Sequence, residues 1–541
     1  MTALSTSHNP GPRPQKVARS TATLAFALVL SLTAAACQSS ERGLTPTGAK
    51  PPPDVLRLGV ESPGSLDPAQ ARSPSELLMA EQLFDGLTSY DPVTLAVQPA
   101  LAASWQATPD LAHWDFTLRP DAKFSNGRQI TSADVKYSLD RIVRKGSTSP
   151  GISQLELVTG FNPVNVTGRA DNLAGITTPD PAVVRIDLDE PLSVLPAILG
   201  NPVFGIVPRE SVETPAPPFG TQPVGSGPFM LQSRAESVLH LVPSPDAKVE
   251  VKGIDVFLAR DAASAYADFL RGGVDWTEVP ADQVEPVPAD KGKDTVRPYG
   301  AELFYAFNLR NPKFADQRFR AAIVHAIDRD AIVRVVYGST VIPRSALVAE
   351  GIPGAQPDPC GDVCRFDPGL SRDLVRQAFG DAPPPDVQID YDDNPTQEAV
   401  AESMQANLKA VGITAGLRPH VFGDYLKFAQ SGAQELFRLG WIGSFPSPDA
   451  FLTPMYLSGT ADNVTGFSSP VVDSLLKAGR AEADEAKRTA AYQEAEKVIL
   501  ADVPVVPVAQ FQSHSVTSPR VRDLTMTTFG TFDASKVRLS D

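Results

Sequence analysis

Chemistry in this chain would have to come from a short list of side chains. Cysteines stand at 37, 360 and 364, and histidines at 8, 113, 240, 325, 420 and 514. No histidine falls at ligand spacing with another or with a cysteine, so a zinc site would lack ligands. Gly225-Ser226-Gly227 lacks the spacing of a nucleophile elbow, and neither a Walker-type phosphate loop nor an H-E-x-x-H pair occurs. The carboxylates of Asp390-Tyr391-Asp392-Asp393 read as a solvated cluster on an acidic surface. With 48 Lys and Arg against 63 Asp and Glu, a formal charge of −15, a phosphate-binding groove is not expected, so no nucleic acid is among the partners. These residue types favour binding over catalysis and call for no cofactor or metal. An enzyme whose residues meet only in the fold, such as an exported hydrolase, is the remote alternative.

The cysteines say where the chain works. Residues 1–21 carry Arg13, Lys16 and Arg19 with no acid, and residues 22–36 (ATLAFALVLSLTAAA) carry no charge. That is a secretion signal, and the apolar run is shorter than the roughly 20 residues a spanning helix needs. Ala34-Ala35-Ala36 before Cys37 looks like a lipobox with Ala34 where Leu is usual. Cys37 is therefore expected to be lipidated, ahead of ordinary cleavage near Ala36 or a buried thiol; acyl chains would hold the protein on a membrane. Residues 37–53, rich in Pro, Gly, Ser and Thr, read as a tether. In an exported chain Cys360 and Cys364 are expected to form a disulfide that pins a loop, worth about 2 kcal/mol.

The remaining length exceeds one compact core and implies two or three domains. VLRLGV (55–60) alternates like an entering strand, and Ser73-Pro74-Ser75-Glu76 makes a capping box that starts a helix carrying Leu77, Leu78, Leu83 and Phe84, with Gly86 placed to end it. HWDFTLRP (113–120) alternates with period two, FSNGRQ (124–129) supplies a turn, and Thr131 opens a helix with Val135, Leu139 and Ile142 on one face. Residues 175–260 are strand-rich. From about 300, strands alternate with helices expected over 316–337, closed by Gly338, over 396–411 and over 484–501, the mark of βα units; PVVPVAQF (504–511) reads as a returning strand.

Several segments in order resemble one family, the extracytoplasmic solute-binding proteins of bacterial ABC importers in the peptide, nickel and oligopeptide group called family 5. They are SPGSLDPA (62–69), the run 83–141 from LFDGLTSYD to VKYSLDR, PVGSGPFML (223–231), FLRGGVDW (269–276), 307–338 from FNLRNPKF to VVYG, LGWIGSFPSPDAFLTPMY (439–456) and 471–511. The resemblance implies an α/β fold of the periplasmic-binding-protein type II kind, two lobes of mixed sheets flanked by helices with a ligand cleft between them. Lobe I would comprise 54–95, 215–296 and 512–541, with an additional domain at 96–214, and lobe II would comprise 297–511.

It also implies a function: a binding subunit, expected to be a monomer, tethered at the outer face of the cytoplasmic membrane. It would deliver peptides or peptide-like solutes to permease subunits coupled to cytosolic ATPases. Oligosaccharide or nickel-chelate cargo is the alternative. In peptide-binding members an acid three residues after the Trp of the Gly-Trp motif pairs with the peptide ammonium, and here Gly440-Trp441-Ile442-Gly443-Ser444 puts Ser444 there. Asp449 could replace that charge or simply cap a helix. Trp441, Ile442, Gly443, Ser444 and Phe445 are the expected pocket wall. Ser62 and Leu66 are expected at the cleft lip, Phe304 and Asn308 beside the ligand, and Phe511 where the chain returns to lobe I. Arg310 and Arg438 could meet a carboxylate.

Overall fold

A computed structural model describes residues 52–283 and 286–540. The expected signal, Cys37 and the expected tether up to residue 51 lie outside the described residues. Among these residues the chain forms mixed α/β architecture around an eleven-stranded sheet, with a separate four-stranded sheet from Ala102–Ala107, His113–Leu118, Val183–Asp187 and Ile176–Asp180.

Two long strands run through the large sheet and join its halves. Lys293–Phe307 lies antiparallel to Val505–Thr517, pairing 293–298 with 517–512 and 302 with 510. Three residues, Tyr299, Gly300 and Ala301, thus stand opposite Phe511 alone, a bulge in the middle of the crossing. On one side of it the sheet continues through Trp276–Glu278, Val55–Glu61, Gly253–Ala259, Val238–Pro243 and Phe229–Arg234. On the other it continues through Leu436–Ile442, Val387–Asp392 and Ala415–His420, the last two parallel and linked by the helix Pro395–Ala410. The expected βα alternation is found here.

The strand Val55–Glu61 pairs in parallel on both edges and is buried along most of its length, which explains its near-continuous apolar run. Its exception is Arg57, whose guanidinium makes a bidentate pair with Asp275 at 3.0 and 2.8 Å. Asp275 is wholly buried and also accepts from the Arg57 backbone N–H and the Ser518 hydroxyl, so one carboxylate joins three distant segments.

The helix Pro74–Leu83 has the expected capping box at Ser73 and Glu76. It is capped by Phe84, not by Gly86, whose lack of a side chain serves another need: a Cβ there would lie 2.6 Å from the Leu199 carbonyl oxygen. The helix expected over 316–337 is broken. Gln317–Ala326 ends at Ile327, and Asp328 accepts from the Ala331 N–H to cap a short new turn, Arg329–Ile332. Local side-chain capping competes with helix continuation, and apolar periodicity alone does not reveal it. The helices Pro395–Ala410 and Glu485–Asp502 match expectation, and Cys360 and Cys364 are disulfide-bonded, both buried, flanking a single 3₁₀ turn.

Removing one partner from a buried ion pair leaves an uncompensated charge, so Asp275→Ala is expected to lower unfolding stability by about 3–5 kcal/mol. Urea unfolding checks this; a loss below about 1 kcal/mol would mean the pair is dispensable.

Candidate ligand-binding cleft

The bulge of the crossing strands is also where the expected pocket segment arrives. Gly443 N–H donates to Gly300 C=O at 2.9 Å, and Gly300 N–H donates to Thr528 C=O at 2.7 Å. One bulged glycine thereby joins the end of the strand Leu436–Ile442 to the C-terminal segment. Around this join stand Tyr90 and Phe529, ring centroids 6.2 Å apart, and Asn201, which donates to the Ser444 carbonyl at 2.6 Å.

The expected site residues separate into two sets. Trp441, Ile442 and Ser444 are half-buried at this join, Gly443 and Phe445 are buried in it, and Trp441 donates its indole N–H to Ala450 C=O at 2.6 Å. Gly443 admits no side chain, because a Cβ would fall 2.3 Å from the Phe451 ring. Phe511 is half-buried opposite the bulge and pairs with Val341. Ser62 is exposed where the first strand ends.

The others serve the fold. Leu66 and Phe304 are buried in the apolar cores. Asn308 is buried with both amide N–H groups donating to the Gly432 and Gln434 carbonyls and its oxygen accepting from Arg310 N–H, so its donors are spent within the fold. Asp449 is not available to a ligand cation: Arg480 holds it bidentately at 2.9 and 3.1 Å, and Thr453 and Tyr492 hydroxyls donate to it. Nor is it an N-cap, since it is the first residue of the helix Asp449–Tyr456. Arg438 is buried 3.5 Å from Asp392, and Arg310 donates to Val464 C=O.

Acids at this join come instead from segments the sequence did not single out. Burial, then the Asp533 and Asp85 carboxylates, push the Glu81 carboxyl up to about 8. Burial pushes Asp85 up to about 6, with Arg119 pulling it down and Asp533 raising it. Glu278 is raised to about 7 by burial and by Glu61, and in turn contributes to raising Tyr299. Glu302, paired across the ladder with Trp441, is buried and held well above the ordinary carboxylate range, chiefly by desolvation. The one available signal was two acids, Glu81 and Asp85, four residues apart in a helical register, which repel unless something offsets them.

Chemical capacity is narrow. Among the described residues no group of three or more His, Cys, Asp or Glu could hold a metal ion. His113, His240, His420 and His514 each face an aspartate, at 2.7 to 3.2 Å. No helix among the described residues is long and apolar enough to cross a membrane.

A two-part sheet joined by two crossing strands is the architecture of a two-lobed α/β fold. Solved structures share the fold. The unliganded open form of the murein tripeptide-binding protein MppA aligns with a TM-score of 0.79 at 23% identity, covering 90% of this chain and 97% of that one. Haemophilus influenzae OppA in complex with RPPGFSPFR aligns with a TM-score of 0.70 at 21% identity, covering 90% and 99%. The family model for bacterial extracellular solute-binding proteins, family 5, matches residues 96–463, more than half of the chain, and the chain belongs to that family. Among its relatives, the periplasmic murein peptide-binding protein MppA of Escherichia coli K12 is 27% identical over 489 residues, 86% of this chain and 89% of the relative. The dipeptide-binding protein DppE of Bacillus subtilis is 23% identical over 505 residues, 88% and 91%.

The raised Glu81 carboxyl has a signed consequence. With a folded value near 8 against 4.5 for the free group, its contribution is fully present below about 4.5 and lost as pH rises through 8. Glu81→Gln should therefore melt about 2 °C above wild type at pH 9 and level with it at pH 4.5. Equal shifts at both pH values would place the carboxyl in an ordinary aqueous setting.

Proposed function

We propose that this chain is the solute-capturing subunit of an ABC importer, taking peptides or peptide-like solutes between two closing lobes and passing them to a permease without altering them. The observation that supports the reading is the join at Gly300, where the bulge of the crossing strands is hydrogen-bonded to the Gly443–Phe445 segment; in this reading the bulge is the hinge and that segment the pocket wall. Relatives named for murein peptides, oligopeptides and dipeptides support the cargo class. In this reading 54–95, 215–296 and 512–541 form lobe I, 96–214 its additional domain and 297–511 lobe II. Lipidation at Cys37 would hold the monomer at the outer face of the cytoplasmic membrane.

Ser444 and the sequestered Asp449 favour a second reading of cargo, another solute such as an oligosaccharide or a nickel chelate. Neither residue offers a free carboxylate to a peptide ammonium, which must be compensated when buried.

Native mass spectrometry of residues 38–541, gently purified and then denatured, distinguishes the two. A mixed ladder of peptide masses is expected, and a single non-peptide mass would overturn the cargo. Ser444→Asp should raise affinity for free-amino peptides over their N-acetylated forms by about tenfold, the worth of one charge-assisted hydrogen bond; equal response of both forms would remove Ser444 from that role. Cys37→Ser should free the protein from the membrane fraction or leave the uncleaved precursor. Unchanged attachment of a processed chain would remove the lipid anchor.

A further inference from the structure

Beyond the crossing strands, buried polar side chains gather in one place with part of their hydrogen-bonding capacity unspent. Tyr305 stands opposite Arg438 across the ladder between Lys293–Phe307 and Leu436–Ile442, so both side chains leave the sheet on the same face. Arg438 lies 3.5 Å from Asp392, at the end of the neighbouring strand Val387–Asp392. Gln397, in the first turn of the helix Pro395–Ala410, donates its amide N–H to the Tyr337 hydroxyl at 3.3 Å. Tyr337, Arg438 and Asp392 act electrostatically on the Tyr305 hydroxyl, and Arg438 and Asp392 on that of Tyr337, so the five side chains surround one space.

Tyr305, Asp392, Gln397 and Arg438 are each more than nine-tenths buried. Yet the Tyr305 hydroxyl, Asp392 Oδ1, Gln397 Oε1 and Arg438 Nε have no hydrogen-bond partner among the described residues. A buried polar atom left unsatisfied costs about 1–3 kcal/mol, and folded proteins keep few of them, so four together call for an occupant. The elements that carry Tyr337 and Gln397 also border a groove of about 600 Å³, with Val335 and Val336 on one side and Pro395 and Thr396 on the other.

The chemistry of the four atoms selects that occupant. Burial pushes both phenols up, Tyr337 to about 12, so each keeps its proton and can donate. Tyr305 and Arg438 offer donors, while Asp392 and Gln397 offer acceptors. The formal charges cancel, because the Arg438 guanidinium faces the Asp392 carboxylate, and the nearby Asp390 is answered by Arg418 at 2.9 Å. A carboxylate entering here would meet Asp392 as well as Arg438, and an ammonium would meet Arg438 as well as Asp392. An uncharged group that both donates and accepts finds a partner for each atom.

We propose that Tyr305, Asp392, Gln397 and Arg438 form a specificity subsite for an uncharged hydrogen-bonding group of the solute, a carboxamide or a pair of sugar hydroxyls, and not for a carboxylate. This rests on reading the chain as a solute-capturing protein, and it names what the solute carries at one end. Asp392 answers the Arg438 charge and leaves its Nε–H as a directional donor.

The experiment titrates residues 38–541, stripped of co-purified solute by partial unfolding and refolding, with three probes in a calorimeter: trialanine, its C-terminal amide, and cellotriose. Wild type is expected to bind the amide about tenfold tighter than the free acid, the worth of one hydrogen bond made without an opposed charge. Tyr305→Phe keeps the ring and removes the hydroxyl, and should cut that ratio about threefold. Asp392→Asn leaves the Arg438 charge unanswered and should reverse the preference toward the free acid; if it fails to fold, Tyr305→Phe decides alone. A ratio near one in wild type, or a ratio that neither substitution moves, overturns the subsite. Cellotriose binding that weakens in Tyr305→Phe, with neither tripeptide bound, supports the subsite and removes the peptide reading. Binding of none of the three overturns the subsite and leaves the importer reading to the identity of the co-purified solute.

Discussion

The slip in register between the two crossing strands governs the rest of the molecule. Three residues of one strand face one residue of the other, so the ladder cannot continue straight through 299–301, and the two halves of the sheet meet at a break in their hydrogen bonding. A bulge raises local twist and frees backbone groups for other partners. Here those groups are the N–H and C=O of Gly300, taken by Thr528 and Gly443. The break in the ladder and the Gly443–Phe445 segment are therefore joined by direct backbone hydrogen bonds. Gln510 reinforces it from the facing strand, with its buried amide donating to Tyr299 and Glu350 carbonyls and accepting from Glu350 N–H.

Charge is handled in two contrasting ways. Several buried carboxylates have matched donors: Asp275 with Arg57, Asp449 with Arg480, and Glu496 with the Leu347 and Val348 amides. Near the join, Glu81, Asp85 and Glu278 are held above the usual range because desolvation and neighbouring acids outweigh the help they receive. Folded interiors ordinarily compensate such groups, and perturbed acids gather where proteins bind or react.

Much of the scaffold was legible because its signals are local. The capping box at Ser73, the helix Pro395–Ala410 and the near-continuous apolar strand Val55–Glu61 each depend on residues a few positions apart. The break at Ile327 was not legible, since apolar residues keep helical spacing through it and only the Asp328 cap interrupts them. Trp441 to Phe445 were singled out through family resemblance and lie together at the Gly300 join, whereas the side chains of Asn308 and Asp449 are engaged within the fold. Their polarity suggested recognition, yet partners more than a hundred residues away for Asn308, and 31 to 43 away for Asp449, consume it. Asn201 and Glu81 drew no notice for the converse reason: one reads as a turn residue and the other as a surface acid until the fold sets Asn201 against the Ser444 carbonyl and Glu81 beside Asp85 and Asp533.

Hinge closure about the Gly300 bulge is the claim on which the functional reading stands. Small-angle X-ray scattering of residues 38–541, stripped of solute by partial unfolding and refolding and then saturated with whatever that step released, tests it most directly. The account requires the radius of gyration to fall on addition of the solute, with the scattering curve moving as a whole between two forms. A radius unchanged at saturation, with binding verified in the same sample, would contradict closure and leave the two halves of the sheet a rigid pair.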